Sequence, residues 1–378
     1  MTLASFRFPT QIRFGAGARR ALAEVAAAGV RRPLLVTDDG LAGTAAFALA
    51  RATLDEVWPG AWRHFGGVHP NPVEADADAA YAVWAAEGCD GVVALGGGSA
   101  IDGAKALVLR IADPARPLTA IALDALPERV VPLCAIPTTA GTGSEVGRST
   151  VVTVPALGRK IVLGAPALLP GLALLDPELT VGLPPHLTAA TGMDAMTHAI
   201  ESFVCPVYHP MCDGIALEAI HRIPRFLPRA VADGADLEAR GEMLMAAAMG
   251  AVAFQKDLGA AHSLAHPLST ELGVHHGLAN ALVLAAVVRF NGARDRALYA
   301  RVATALGLPA GDDPAGAVAD FLEAFNRTIG ITRRLRDVVG DEARLPDLAA
   351  KAFTDGCHLT NPRPCTADDL LGLYREAW

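Results

Sequence analysis

The pattern of strand-like and helix-like segments changes character once along this chain, and that change limits the architectures open to it. In the first part, short β-type runs alternate with helical stretches. Arg19 to Ala28 reads as a helix stopping at Gly29, and Pro33 to Thr37 as a strand ending at Asp38. Ala75 to Glu87 is helical and closes at Gly88; Gly91 to Leu95 is a buried-strand run that meets Gly96-Gly97-Gly98. Ala100 to Ile111 is helical again, and Leu133 to Ile136 is another short apolar strand. Such alternation predicts βαβ units and a mainly parallel sheet. From about Pro184 onward β-type runs nearly vanish. Thr188–Val204, Gly214–Leu227, Leu237–Ala261, Asn280–Phe290, Ala315–Ile329 and Asp368–Ala377 read as helices, several apolar nearly all round as in a buried bundle. Pro and Gly cluster near Leu175-Asp-Pro-Glu178. The expected division is therefore an α/β domain with a Rossmann-like parallel sheet over 1–179 and an all-α domain over 180–378.

Composition narrows the function classes. Hydrophobic residues make up 52% of the 378, ample for two cores. The formal net charge of -8 argues against a nucleic-acid partner, which would call for a basic face, and against an anionic membrane surface. Apolar stretches are short or broken by Gly, Pro or charge, so no spanning helix is expected. Met1 to Phe14 lacks the charged and apolar regions of a signal peptide. The six cysteines form no CxxC pair and read as reduced thiols. A cytoplasmic enzyme is the expectation.

Two helical segments carry side chains with metal-ligand chemistry. Asp194 and His198 are four residues apart, which stacks them on one helix face. His262 and His266 repeat that spacing, and His276 follows ten residues later, just before Gly277. A carboxylate with several imidazoles suits Zn²⁺ or Fe²⁺. The other reading is a set of polar pairs with no metal. Against it, five such residues fall in buried-looking helices of a chain with only 11 His. Burying them unpaired would be costly.

Two loops suit a phosphate-bearing cofactor. Gly96-Gly97-Gly98-Ser99 joins a strand to a helix, where glycines admit a pyrophosphate and the helix N-terminus supplies N–H groups. Alternatively, Ser99 and Asp102 only cap that helix. The loop with Thr138, Thr139, Thr142, Ser144 and Glu145 offers hydroxyls to phosphate, ribose or nicotinamide, or to its own backbone. Asp38, ending a strand, could accept both adenosine ribose hydroxyls and would repel a 2′-phosphate, favouring NAD over NADP; it could also be a simple cap.

Taken together these motifs resemble the iron-containing (group III) alcohol dehydrogenase family over almost the whole chain. The likeness rests on Gly96–Ser99 with Asp102, the Pro137–Glu145 loop, Asp176-Pro177-Glu178, Gly192–Glu201, and His262-x3-His266-x9-His276-Gly277. Its most specific parts are the last two. The resemblance implies an N-terminal dinucleotide-binding domain, an all-helical metal-binding domain, NAD, and Fe²⁺ with Zn²⁺ as a frequent substitute. It implies Asp194, His198, His262 and His276 as ligands and His266 as a nonligand histidine near the substrate. It also implies Asp38, Gly96, Gly97, Gly98, Ser99, Asp102, Thr138, Thr139, Thr142 and Lys160 as cofactor contacts, and a homodimer. Ala285 departs from a frequent Pro, without expected consequence.

Within the family the likeness runs toward 4-hydroxybutyrate dehydrogenases, through Ala253–Pro267 and Cys357–Arg363. Arg363 is open to two uses: recognition of a substrate carboxylate, or pinning the C-terminal segment. The expected reaction is hydride transfer between nicotinamide C4 and a small primary alcohol or ω-hydroxy acid, with His266 relaying the proton. Two related readings stand beside it. One is a dehydroquinate synthase-like NAD- and metal-dependent lyase. The other is a metal-free maleylacetate reductase, whose branch usually lacks the aspartate that Asp194 supplies.

Overall fold

A computed structural model describes residues 6, 8 and 10–378, apart from residue 158. The described residues fall into two compact units: one within 8–183 together with 234–244, the other of residue 6 with 184–233 and 245–378.

The first unit is built on β1 (Gln11–Phe14), α1 (Leu22–Ala27), β2 (Pro33–Asp38), α2 (Ala45–Val57), β3 (Arg63–Val68) and α3 (Glu74–Glu87). It continues with β4 (Gly91–Gly96), α4 (Gly98–Ala112), β5 (Leu133–Pro137), β6 (Ser149–Val154), β7 (Arg159–Gly164) and β8 (Leu172–Leu175). Six strands form one sheet in the order β1-β8-β5-β4-β2-β3. Every pairing in it is parallel, whereas β6 and β7 form a separate antiparallel hairpin. The strand side chains alternate between two cores. Leu34, Val36, Val92 and Ala94 enter one, and Leu35, Val93 and Leu95 enter the other. Burial on both faces is why these strands read as continuous apolar runs.

Helix α2, strands β1, β3 and β8, and the β6–β7 hairpin were not legible beforehand. Edge strand β3, Arg63-His-Phe-Gly-Gly-Val68, has two glycines and polar residues, so no apolar run marks it.

The helical unit carries α5 (Pro185–Val204), α6 (Pro210–Ala232), the latter part of α7 (Leu237–Ala253), α8 (Ala260–Leu272) and α9 (His276–Gly292). It is completed by α10 (Arg296–Ala305), α11 (Pro314–Thr328), α12 (Leu335–Val339), α13 (Leu345–Phe353) and α14 (Ala367–Glu376). No strand follows Leu175 among the described residues. Helix α5 is the axis of this unit: every residue from Thr188 to Val204 is buried. It packs on α6 and α9.

One expected helix is broken. The segment 237–261 ends at Ala253, turns through Phe254–Lys256, passes Asp257 in a left-handed conformation (φ 93°), and restarts at Ala260. A Cβ on Gly259 would lie 2.8 Å from Glu201 Oε1 and 2.9 Å from Asn361 Oδ1, so glycine lets the chain pass this crowded point. The break sets a fresh helix N-terminus against α5.

The start of α9 presses hard on α5. A Cβ on Gly277 would fall 2.1 Å from the Ala190 carbonyl oxygen and 3.1 Å from Asp194 Cβ. Backbone cannot yield as a side-chain tip can. Gly277→Ala is expected to cost about 3 kcal/mol, the upper end for overpacking, read as a lowered midpoint in chemical denaturation. An unchanged midpoint would show that the α5–α9 approach is not a tight constraint.

Candidate active site

Three helices bring the expected ligand residues together. Asp194 and His198 lie on α5, His262 on α8, and His276 opens α9. Asp194 Oδ1 is 3.4 Å from His276 Nε2, and 3.9 Å from both His198 Nε2 and His262 Nε2. The ring centroids of His198 and His262 are 4.8 Å apart, nearly parallel, and those of His262 and His276 are 5.3 Å apart. Asp194, His198 and His262 are buried, while the His276 side chain is 31% exposed and leaves one side of the group open.

An ionised carboxylate lies at the centre of the group. Burial alone pushes the Asp194 carboxyl up, but His198, His276 and His262, with a hydrogen bond from Asn280, outweigh it and hold it down at about 2. Burial drives His276 well below its ordinary value, toward the neutral form in which an imidazole can ligate a metal. His262 is fixed from behind: its Nδ1 meets Glu201 Oε2 at 2.5 Å, and Glu201 Oε1 accepts from Ala261 N at 2.6 Å. That carboxylate selects the tautomer that turns Nε2 toward Asp194.

Asn280, fully buried, donates from Nδ2 to Asp194 Oδ1 at 2.8 Å and lies 3.3 Å from Nε2 of both His262 and His276. Its Oδ1 has no partner among the described residues. A buried cluster so rich in acceptors is unbalanced by itself. An ionised carboxylate with three imidazoles is a donor set that could hold Fe²⁺ or Zn²⁺.

His266 stands beside this group. Its ring stacks on His276 at 5.4 Å, and its Nδ1 is 2.7 Å from Asp355 Oδ2. Its side chain is a quarter exposed, 25%.

In the α/β unit, Asp38, Gly96–Gly98 and the loop of Thr138, Thr139 and Thr142, expected to meet a nucleotide, gather at the carboxyl ends of β2, β4 and β5, the usual ligand edge of an open parallel sheet. Gly96 has φ 145°, and a Cβ there would lie 2.6 Å from Ala100 Cβ and 3.1 Å from Asp38 Oδ2. Thr138 N donates to Gly96 O at 2.9 Å. A Cβ on Gly98 would strike Thr142 at 2.6 Å, and one on Gly97 would meet Thr139 at 3.4 Å. Asp38 Oδ1 accepts from Gly40 N at 3.0 Å, which works against the upward push of burial.

The capping alternative for Ser99 and Asp102 is not what forms. Helix α4 has Gly97 as its N-cap, with no side-chain cap. Ser99 donates instead to the Pro70 carbonyl. Asp102 accepts from Ser144 Oγ at 2.6 Å and Val151 N at 3.1 Å, bracing α4 to the threonine loop and β6 rather than reaching out with the glycines. Lys160 Nζ donates to Asn71 Oδ1 at 2.8 Å. Lys105, passed over in the sequence, is buried, with Nζ 2.7–2.9 Å from Ser144 O, Ser144 Oγ, Gly147 O and Ser149 O. Burial brings its ammonium down to about 8.

Arg363, left with two uses above, takes the pinning one: it donates to Phe290 O at 3.1 Å and stacks on the Phe290 ring at 3.7 Å. Of the residues missed, Glu201 had a signal, since 194, 198 and 201 share one helical face. Asn280 had one too, four residues past His276. Asp355, 89 residues from His266, had none.

A parallel α/β unit with a glycine loop at its strand ends, joined in one chain to a helical unit with a buried Asp–His cluster, fits the class of metal-associated dehydrogenases. Family models place the chain within it: iron-containing alcohol dehydrogenase matches residues 9–177, and the C-terminal model of the Fe-containing alcohol dehydrogenase family matches 188–378. The chain belongs to the iron-containing alcohol dehydrogenase family. It is 40% identical to a 4-hydroxybutyrate dehydrogenase of Cupriavidus necator over 92% of this chain and 93% of that protein. A crystal structure of 1,3-propanediol oxidoreductase superposes with TM-score 0.94 at 33% identity, covering 99% of this chain and 100% of that one. Sulfoacetaldehyde reductase from Bifidobacterium kashiwanohense in complex with NAD+ gives TM-score 0.90 at 31% identity, over 100% and 99%. These are oxidoreductase families, and the lyase reading is set aside.

Replacing Glu201 by Gln keeps the shape but removes the carboxylate behind His262. Divalent-metal affinity is expected to fall about 10–100-fold, measured by competition with a chromophoric chelator. Unchanged affinity in a folded variant would mean that Glu201 does not act on the cluster.

Proposed function

We propose that Asp194, His198, His262 and His276 hold one divalent cation, Fe²⁺ or in its place Zn²⁺, for an NAD-linked alcohol dehydrogenase. The chain is an oxidoreductase acting on CH–OH groups, and NAD and iron are its cofactors. The observation that carries the ligand assignment is the convergence of one ionised carboxylate and three imidazoles from three helices within 4 Å of a common carboxylate oxygen. When bound, the cation supplies Lewis acidity at the substrate oxygen, and NAD accepts the hydride at nicotinamide C4.

The chain's own residues do the rest. Asp194 gives the cluster its negative charge, and Glu201 and Asn280 keep the donor atoms aimed. Asp38, Gly96, Gly97, Gly98, Ser99, Thr138, Thr139, Thr142 and Lys160 are the proposed cofactor contacts. Gly96–Gly98 leave room for a pyrophosphate at an α4 N-terminus that no side chain caps. Asp38 suits a free ribose better than a phosphorylated one. His266 accepts the alcohol proton at a ring nitrogen and passes it to water.

Small primary alcohols and ω-hydroxy acids such as 4-hydroxybutyrate are the proposed substrates, supported by the relative named above. The setting is proposed to be cytoplasmic and homodimeric. Six free cysteines accord with a reducing compartment, and the family resemblance supports the dimer. No described helix is long and apolar enough to cross a membrane.

Anaerobic removal of metal is expected to abolish NADH formation from C2–C6 primary alcohols and ω-hydroxy acids, and Fe²⁺ to restore it. Full activity in metal-free protein would refute the assignment. Replacing Asp38 by Asn is expected to raise kcat/KM for NADP relative to NAD by about tenfold, equivalent to about 1.4 kcal/mol. An unchanged ratio would remove Asp38 from the ribose site.

A further inference from the structure

His266 does not stand alone. Its Nδ1 is 2.7 Å from Asp355 Oδ2, across 89 residues of sequence. The second oxygen of that carboxylate is also engaged: Asp355 Oδ1 accepts from Ser263 Oγ at 2.9 Å and from Cys357 N at 2.9 Å. Ser263 Oγ in turn accepts from His358 N at 2.8 Å. Thus Asp355 is gripped from its own turn and from α8, the helix that carries His266. A carboxylate held at both oxygens cannot rotate away from the imidazole without breaking these bonds. This is more than one surface ion pair would require, and it faces the one histidine of the cluster that the cation does not need.

We propose that Asp355 is the positioning residue for His266, fixing its ring and holding the proton on Nδ1 so that Nε2 is the atom that takes up the substrate proton. This rests on the reading of His266 as the proton relay. In alcohol oxidation the O–H bond breaks and its proton goes to His266 Nε2. The C–H bond pair leaves as hydride for nicotinamide C4, so the alcohol is oxidised and NAD+ reduced. His266 then carries an extra proton, its imidazolium facing the Asp355 carboxylate, until Nε2 releases the proton to water. In aldehyde reduction each transfer reverses. The carboxylate orients the ring and compensates its transient charge, and itself touches no reacting atom.

The Cys357 thiol offers a competing use for the same groups, since ligand atoms of His266, Asp355 and Cys357 lie within 4.8 Å of one another. A cation bound by all three would replace the Nδ1 proton. The two arrangements are mutually exclusive, and a second equivalent of metal would reveal the other one.

The test joins spectroscopy to kinetics on folded holoenzyme. In ¹⁵N-histidine NMR of the zinc-loaded protein, with His266 assigned by the signal missing from His266→Gln, the wild type is expected to show the Nδ1–H tautomer. Asp355→Asn is expected to alter that signature while metal content stays at one equivalent. Its kcat should fall about 10–100-fold, part of the 10²–10⁴ that a placed acid–base group supplies, with KM within about twofold. Asp355→Glu should recover part of the loss. In a His266→Ala background, adding Asp355→Asn should cost nothing more.

His266→Ala at full kcat would sink the relay reading itself. A large loss in His266→Ala with none in Asp355→Asn would keep the relay and overturn the positioning role. An Nε2–H tautomer in the wild type, or a second bound metal removed by Cys357→Ser, would also overturn it.

Discussion

The helical unit is arranged around the buried charge of Asp194. Asp194 sits on the most enclosed helix of the chain, and a lone carboxylate there would be expelled or neutralised. It stays ionised because His198, His276 and His262 and the Asn280 amide all point their polar atoms at it. Those partners come from its own helix and from α8 and α9, so the charge is satisfied only when all three helices are in register. The helix break after Ala253 and the pressure of Gly277 on Ala190 then have a common meaning. One sets a new helix end against Glu201, and the other brings His276 down onto Asp194.

The α/β unit applies the same logic with opposite sign. There a buried charge near the glycine loop is the Lys105 ammonium, surrounded by the oxygens of Ser144, Gly147 and Ser149. Asp102 lies close by and ties α4 to β6 through Ser144 and Val151. These two residues fix the threonine loop against the helix that follows the glycines. A Cβ on Gly97 or Gly98 would run into Thr139 or Thr142 because that loop is held there. The polar residues that looked like ligand contacts therefore divide into those at the strand ends and those bracing them.

Much of this was legible from spacing. The buried parallel strands β2, β4 and β5 announce themselves as unbroken apolar runs; β8 is as buried, but its four residues run straight into the Pro- and Gly-rich stretch near Leu175–Glu178 and carry no separate signal. Edge strand β3 has no such run, because its residues are mostly half-buried, polar or glycine. The four-residue pairs on α5 and α8 placed two groups of candidate ligands on common faces. The choice of four ligands from five came only from family likeness, since periodicity cannot say which helices converge. Asp355 was invisible for the same reason: its contact to His266 is made in three dimensions alone. The missed break at Phe254–Gly259 shows the reverse error, in which an alanine-rich stretch looks helical throughout and local crowding at Glu201 decides otherwise.

The most direct measurement is X-ray absorption at the metal edge of protein loaded anaerobically with one equivalent of Fe²⁺ or Zn²⁺. The account predicts a single site whose scattering fits three imidazole nitrogens and a carboxylate oxygen at about 2.0–2.2 Å. His198→Ala should remove one imidazole from that shell. A shell with sulfur, with fewer than three imidazoles, or untouched by that substitution would contradict it.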